Sequence, residues 1–122
     1  MGFKVYATVL NTDSPGAQEL KTNAIFADKM IVLKMNVTND TEVNEVYENV
    51  KKDVESSALV LWAVVNNAGV LTTAPLEWGS LNTYRQLFEV NVFGTVRVTR
   101  VFLPLIKTSK GEKTSRFSCI LP

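Results

Sequence analysis

Histidine is absent from the 122-residue chain, and cysteine occurs once, at Cys119. Without histidine there is no Ser-His-Asp or Cys-His catalytic set and no ordinary zinc ligand set, and a lone cysteine closes no internal disulfide. An excess of either charge is missing too: 13 basic side chains stand against 12 acidic ones, a net of +1, with the basic residues scattered. Neither nucleic acid nor an anionic membrane surface is therefore expected as a partner. The most apolar stretch, residues 96–106, is about half the length of a membrane span and carries Arg97 and Arg100, so no transmembrane segment is expected. The opening six residues lack the basic segment, apolar run and small-residue cleavage site of a secretory signal, which makes an intracellular, cytoplasmic location the default expectation. No internal repeat or low-complexity linker divides the chain; with 46% hydrophobic and 20% charged residues it reads as one globular domain.

What is present alternates between two periods. Residues 3–10 are rich in β-branched and aromatic side chains, and a turn cluster over 11–16 follows, with Asp13 or Ser14 placed to cap a helix that has Pro15 in its first turn. Residues 17–23 then read as a short helix and 30–37 as a second strand. Asn39-Asp40-Thr41-Glu42 fits a capping box, after which Val43, Val46, Tyr47, Val50 and Val54 fall on one helical face. Residues 58–65 form a continuous apolar run closed by Asn66-Asn67-Ala68-Gly69, the pattern of a strand buried on both faces of a parallel sheet. Residues 80–107 turn helical again and are apolar on nearly every side, so the face turned from the sheet must meet another helix or another subunit; an oligomeric contact is expected here unless the chain is incomplete. Gly94 would allow close approach, and Pro104 is expected to kink the helix or end it near Leu103. The tail shows no clear period. Strand and helix in alternation imply right-handed crossovers, hence an α/β fold with three layers and a Rossmann-like parallel sheet.

In such folds ligands sit at the C-terminal ends of the strands, here residues 7–11, 36–39 and 66–71. Asn66 and Asn67 could bridge backbone groups of neighbouring strands, while Ala68 and Gly69 would let a flat ribose approach the main chain. A simple turn explains the same four residues. Asn36 and Val37 offer a side-chain amide and a backbone N–H to a heteroaromatic edge. Asn91 lies inside the long helix on a largely apolar face, where an unpartnered amide would cost about 1–3 kcal/mol. A satisfied core asparagine and a functional one account for it equally well. Trp62 and Trp78 read as packing residues, Cys119 as incidental, and Glu42, Glu45, Glu48, Lys51 and Lys52 as a solvated helix face.

Together, Val64-Val65-Asn66-Asn67-Ala68-Gly69-Val70, Asn91-Val92-Phe93-Gly94-Thr95, Leu33-Lys34-Met35-Asn36-Val37-Thr38 and Gly2-Phe3-Lys4-Val5-Tyr6-Ala7 resemble the short-chain dehydrogenase/reductase family over residues 2 to 111. Leu81-Asn82-Thr83-Tyr84, Glu89-Val90-Asn91-Val92-Phe93-Gly94-Thr95-Val96-Arg97 and Phe102-Leu103-Pro104-Leu105-Ile106 look most like its retinol, hydroxysteroid and 3-hydroxybutyrate dehydrogenase branch. The resemblance implies NAD or NADP as cofactor and a small-molecule alcohol or ketone as substrate. It implies that Asn36 and Val37 border the adenine, that Asn66, Asn67, Ala68 and Gly69 border the adenosine ribose and steady the sheet, and that Asn91 orders a water in the proton relay. Most members have Asp where Asn36 stands; the amide keeps an acceptor for an adenine amine but loses charge. Thr8-Val9-Leu10 stands where the family often carries Asp or Arg, so NAD and NADP both remain open.

The family's first strand, its Thr-Gly-x-x-x-Gly-x-Gly turn, its catalytic Ser and its Tyr-x-x-x-Lys pair find no counterpart in the resemblance, and Ser115 and Ser118 are not promoted, because the strand that would position them is not legible. The expectation is thus a partial Rossmann domain over 1–111, holding the second to fourth strands, with a divergent tail over 112–122. In strand order 3-2-1-4-5-6 the absent first strand lies between the second and the fourth, which predicts a sheet open at its centre. Such a chain is expected to be inactive alone. The alternatives are a non-enzymatic interaction protein that pairs with full-length relatives through helix 80–107, and a small flavodoxin-like domain, for which neither a glycine-rich phosphate cradle nor an acidic pocket is in place.

Overall fold

Short polar residues start the helices. The Ser14 hydroxyl accepts from Ala17 N at 3.3 Å at the head of α1 (Pro15–Thr22). Asn39 Oδ1 accepts from Thr41 N and Glu42 N at 3.0 and 3.3 Å and caps α2 (Asp40–Ser56). The second half of the expected capping box does not form. The Glu42 carboxylate accepts instead from Asn36 N at 2.7 Å and Lys34 Nζ at 3.2 Å, tying the end of β2 (Met30–Lys34) to the helix that follows. These two bonds, that from Asn36 first, hold the Glu42 carboxyl below its ordinary pKa.

A computed structural model describes residues 3–22, 29–73, 75–108 and, as backbone, 116–119. After β1 (Val5–Val9), α1, β2, α2 and β3 (Ala63–Asn66) come a 3-10 turn (Leu76–Trp78), α3 (Leu81–Phe88), a π turn (Glu89–Gly94), α4 (Thr95–Thr108) and β4 (Arg116–Cys119). The apolar run expected as a strand over 58–65 begins pairing only at Ala63, and Ala58, in the left-handed region at φ 48°, stands just after the end of α2. Pro104 does not end the long helix: α4 runs through it to Thr108. A proline inside a helix costs about 3 kcal/mol. Burying Leu105 and Ile106, each 8% exposed, contributes roughly 1.5–3 kcal/mol apiece and offsets it. The tail also departs from expectation, since β4 is a strand parallel to β3, with Ala63 opposite Arg116 and Asn66 opposite Cys119.

The described strands form two sheets of two, β1 with β2 and β3 with β4, all parallel within each pair. Val5 N donates to Lys29 O at 2.7 Å and Met35 N donates to Val9 O at 2.9 Å. Successive residues of a strand turn their N–H and C=O groups to opposite sides, so Val5, Ala7 and Val9 bond toward β2 while Tyr6 and Thr8 face away from it. On that open side a cavity of about 1080 Å³ reaches from Tyr6, Ala7 and Thr8 of β1 to Val65 and Asn66 of β3. The sheet is open where the strand order predicted.

The core lies to one side of this opening. Val43, Val46 and Val50 of α2 pack with Val98, Phe102 and Leu105 of α4, and the Tyr47 ring meets Phe102 edge-on at 5.5 Å between centroids. Right-handed crossovers put α1 on one face, and α2 and α4, which carry the chain in the other direction along the sheet, on the opposite face. Val64 therefore packs on the core while Val65, one residue on, is 57% exposed. Gly94, the last residue of the π turn, lies against the β2–α2 turn: a Cβ there would stand 2.7 Å from Val37 Cγ2 and 3.1 Å from Val37 Cβ. Gly94→Ala is expected to destabilise by about 1–3 kcal/mol through that overlap. An unchanged urea midpoint would contradict the close approach.

Asp53 of α2 is hydrogen-bonded by Lys4 Nζ and by the Tyr6 hydroxyl, fastening β1 to the helix layer. Lys4 first and then Tyr6 hold the Asp53 carboxyl below its usual pKa, whereas burial first, then the bond and charge of Asp53, push the Tyr6 phenol up to about 12. The carboxylates Asp53 and Glu42 thus contribute stability present above the ordinary carboxylate range and lost as pH falls through their lowered values. Tyr6 has the opposite sign. Its contribution is complete below the unfolded value of about 10 and disappears as pH rises toward about 12. Denaturation midpoints measured against pH should show an alkaline limb that Tyr6→Phe removes; a limb that survives in Tyr6→Phe would assign it elsewhere.

Candidate functional site

The C-terminal ends of β1, β2 and β3 open onto the same cavity, and its wall carries Asn36, Val37, Asn66, Asn67, Ala68 and Gly69. All six residues expected to border a dinucleotide are brought together.

The chemistry at each position differs in part from expectation. Asn36 Oδ1 accepts from Thr38 N at 3.0 Å and from Thr38 Oγ1 at 2.9 Å, an Asx turn that consumes the acceptor expected for an adenine amine. The amide group left without a partner among the described residues is Nδ2, a donor. Val37 N–H, beside it, likewise has no partner among the described residues. Aspartate at position 36 would keep one oxygen for Thr38 and present the other to the cavity. Asn36→Asp is therefore expected to tighten AMP binding about threefold to tenfold, one hydrogen bond's worth. Titration calorimetry showing weaker or equal binding would contradict this assignment of the turn.

Asn66 was expected to bridge neighbouring strands; its Nδ2 instead donates to Thr99 Oγ1 of α4 at 3.2 Å, so it steadies the strand against a helix. Asn67 and Ala68 are exposed and Gly69 is half-buried at the exit of β3. Asn91 has found its partner: Val70 N donates to its Oδ1 at 2.9 Å and its Nδ2 donates to Val70 O at 2.8 Å. Both ends of the amide are used to hold the end of the 66–70 loop. The residue sits within the π turn, where the helical ladder is widened, and its own carbonyl accepts from Thr95 Oγ1 at 3.0 Å. A side chain so engaged positions the loop, and a water in a relay would have to be met by the backbone of this turn.

Arg97 was not singled out from the sequence, yet it joins three segments behind Val37, which lines the cavity. Its guanidinium donates to Val37 O at 2.7 Å, Asp40 Oδ1 at 2.6 Å and Glu89 Oε1 at 2.9 Å. Burial opposes its charge, but the bonds to Glu89 and Asp40 outweigh that and raise its pKa. The available signal was a basic residue inside an otherwise apolar helical stretch, which must find acceptors or leave the core.

The literal Tyr-x-x-x-Lys spacing occurs once, at Tyr47 and Lys51, which corrects the expectation of no such pair. It lies on α2, with the Tyr47 ring against Phe102 and Lys51 Nζ 6.0 Å from the ring centroid, and neither residue lines the cavity. It is a packing pair. Among the described residues no cluster of three metal-ligating side chains occurs, and no helix is long and apolar enough to cross a membrane. For a dinucleotide, the cavity fits the adenosine half: two donors without a partner among the described residues for the base, and the small residues Ala68 and Gly69 for the ribose. Among the described residues no glycine-rich phosphate turn borders the cavity.

A family model described as short chain dehydrogenase matches residues 1–113. Estradiol 17-beta-dehydrogenase 2 of Rattus norvegicus is 43% identical over 114 residues, 92% of this chain and 29% of that protein. The mitochondrial D-beta-hydroxybutyrate dehydrogenase of Bos taurus is 40% identical over 113 residues, 91% of this chain and 32% of its own length. Among solved structures, an NADPH-bound carbonyl reductase from chicken fatty liver superposes with a TM-score of 0.74 at 22% identity, covering 84% of this chain and 40% of that one, a likeness of fold. The chain spans about a third of the length of these curated relatives.

Proposed function

Since the chain belongs to the short-chain dehydrogenase family, a family of oxidoreductases, we propose that it forms the adenosine-binding side of an NAD- or NADP-dependent dehydrogenase of small alcohols or ketones and does not itself complete the reaction. The gathering of Asn36, Val37 and residues 66–69 on one cavity at parallel strand ends is the observation that carries this reading. Asn36 Nδ2 and Val37 N–H would meet the base, Ala68 and Gly69 the ribose, and Asn91 would hold the loop that carries them through Val70. Arg97 would keep the Val37 turn in place from behind. The bound dinucleotide supplies the site that gives or takes a hydride. The names of the relatives point to steroid alcohols and D-3-hydroxybutyrate as the substrates to try first. Titrating AMP while recording amide shifts should move Asn36, Val37, Ala68 and Gly69; shifts confined to other residues would reject the assignment.

A second reading has its own support. Phe88, Val92, Phe93 and Val96 stand 59%, 44%, 54% and 48% exposed along α3, the π turn and α4. Such a row is suited to pairing with an intact relative. Co-purification with a full-length dehydrogenase, abolished by Phe93→Asp, would favour this non-enzymatic role.

A further inference from the structure

In the turn between β2 and α2, every oxygen of Asn36 and Val37 is already engaged. Asn36 Oδ1 accepts twice from Thr38, from N at 3.0 Å and from Oγ1 at 2.9 Å, which occupies both of its lone pairs. Asn36 O accepts from Asn39 N at 3.0 Å, and Val37 O accepts from Arg97 Nη1 at 2.7 Å. Asn36 N is occupied as well, donating to Glu42 Oε2 at 2.7 Å. Glu42 and Arg97, neither of which lines the cavity, hold the turn in this state with opposite charges. Two groups of these residues have no partner among the described residues: Asn36 Nδ2 and Val37 N–H, both donors, on adjacent residues of the cavity wall. Such a pair cannot answer the exocyclic amine of a 6-aminopurine, which also donates. It suits a ring edge that presents two acceptors side by side.

We infer that Asn36 determines specificity for the base, and that the site takes a nucleotide with a 6-oxopurine such as hypoxanthine more tightly than its 6-aminopurine counterpart. The C6 oxygen accepts from Asn36 Nδ2 and the ring N7 accepts from Val37 N–H, the two neighbouring acceptors of that purine edge. Adenine in the same place sets its amine against the Asn36 amide, donor against donor, and one of the two bonds is lost. This preference presupposes a nucleotide in the cavity, as proposed above, and adds which purine it carries. Aspartate at position 36 would restore an acceptor beside Val37 N–H and turn the preference round.

The probes are IMP, AMP and the 5′-monophosphate of unsubstituted purine riboside, each titrated calorimetrically into the full 122-residue chain. IMP is expected to bind about tenfold more tightly than AMP. The unsubstituted purine should fall between them, because it gains no bond at C6 and sets no two donors together. The 7-deaza analogue of IMP, which lacks the N7 acceptor, should bind about threefold to tenfold more weakly than IMP. Asn36→Asp should reverse the order of IMP and AMP. Thr38→Val, which returns one lone pair to Asn36 Oδ1, should reduce the ratio of IMP to AMP affinity about threefold. Each ratio compares two ligands on one protein, so partial unfolding of a variant cancels from it. AMP binding as tightly as IMP, or more tightly, in the unaltered chain would overturn the preference and leave the nucleotide reading standing. A ratio that rises in Thr38→Val would overturn it too, by making the Thr38 hydroxyl, which also lines the cavity, the acceptor of the adenine amine. If none of the nucleotides binds, the preference and the nucleotide reading fall together.

Discussion

Incubated with NAD or NADP and a candidate alcohol, the chain alone is expected to reduce no cofactor above the protein-free rate. The reason is positional. A general acid or base contributes about 10²–10⁴-fold only when it lies within hydrogen-bond reach of the reacting group. Among the described residues the one tyrosine followed by lysine four positions on, Tyr47, is packed against Phe102 on the helix side of the sheet. Tyr6 does line the cavity, but its hydroxyl is committed to Asp53 and its pKa is pushed up to about 12, the wrong direction for a group that must exchange a proton near neutrality. A rate that rises in proportion to purified chain, and vanishes with Asn91→Ala, would overturn this.

Phe102→Ala is expected to cost about 3–5 kcal/mol, since Phe102 is the largest buried side chain among the described residues. Phe102 is 6% exposed and touches the α2 layer through Tyr47, so its removal deletes both buried area and an edge-to-face pair worth roughly 0.5–1.5 kcal/mol. Among the described residues no comparable core exists within the sheet, where β1 and β3 do not pair. The helices α2 and α4 therefore hold the two half-sheets in relation, and losing their contact should release both together. Far-UV circular dichroism against urea would then show a single transition shifted to much lower denaturant. Loss of α4 signal with the β1–β2 unit unaffected would show that the halves stand independently.

Legibility from the sequence followed the range of the interactions. The Asn39 cap, the stripe of Val43, Val46 and Val50, and the parallel pairing of β1 with β2 all depend on neighbours a few residues away or on simple alternation, and all are found. The grouping of Asn36, Val37 and residues 66–69 followed from strand ends sharing one edge of a parallel sheet. What escaped depended on distant partners. Glu42 prefers Asn36 N to its own helix start because β2 delivers that donor. Asn91 answers Val70 across 21 positions, and Arg97 answers Val37 and Asp40 across 60 and 57. Pro104 persists because of what Leu105 and Ile106 bury, which no local propensity contains. β4 is only four residues long, too short for its period to stand out from the polar tail before it; its pairing to β3 reveals it.

Amide hydrogen exchange along β1, resolved by NMR on the isolated chain, tests the split sheet most directly. The account predicts an alternating pattern, slow at Ala7 and fast at Tyr6 and Thr8, because only one edge of the strand is bonded. Slow exchange at Tyr6 and Thr8 as well, in dilute monomeric chain, would mean that β1 already has a neighbour on its far side and would contradict it.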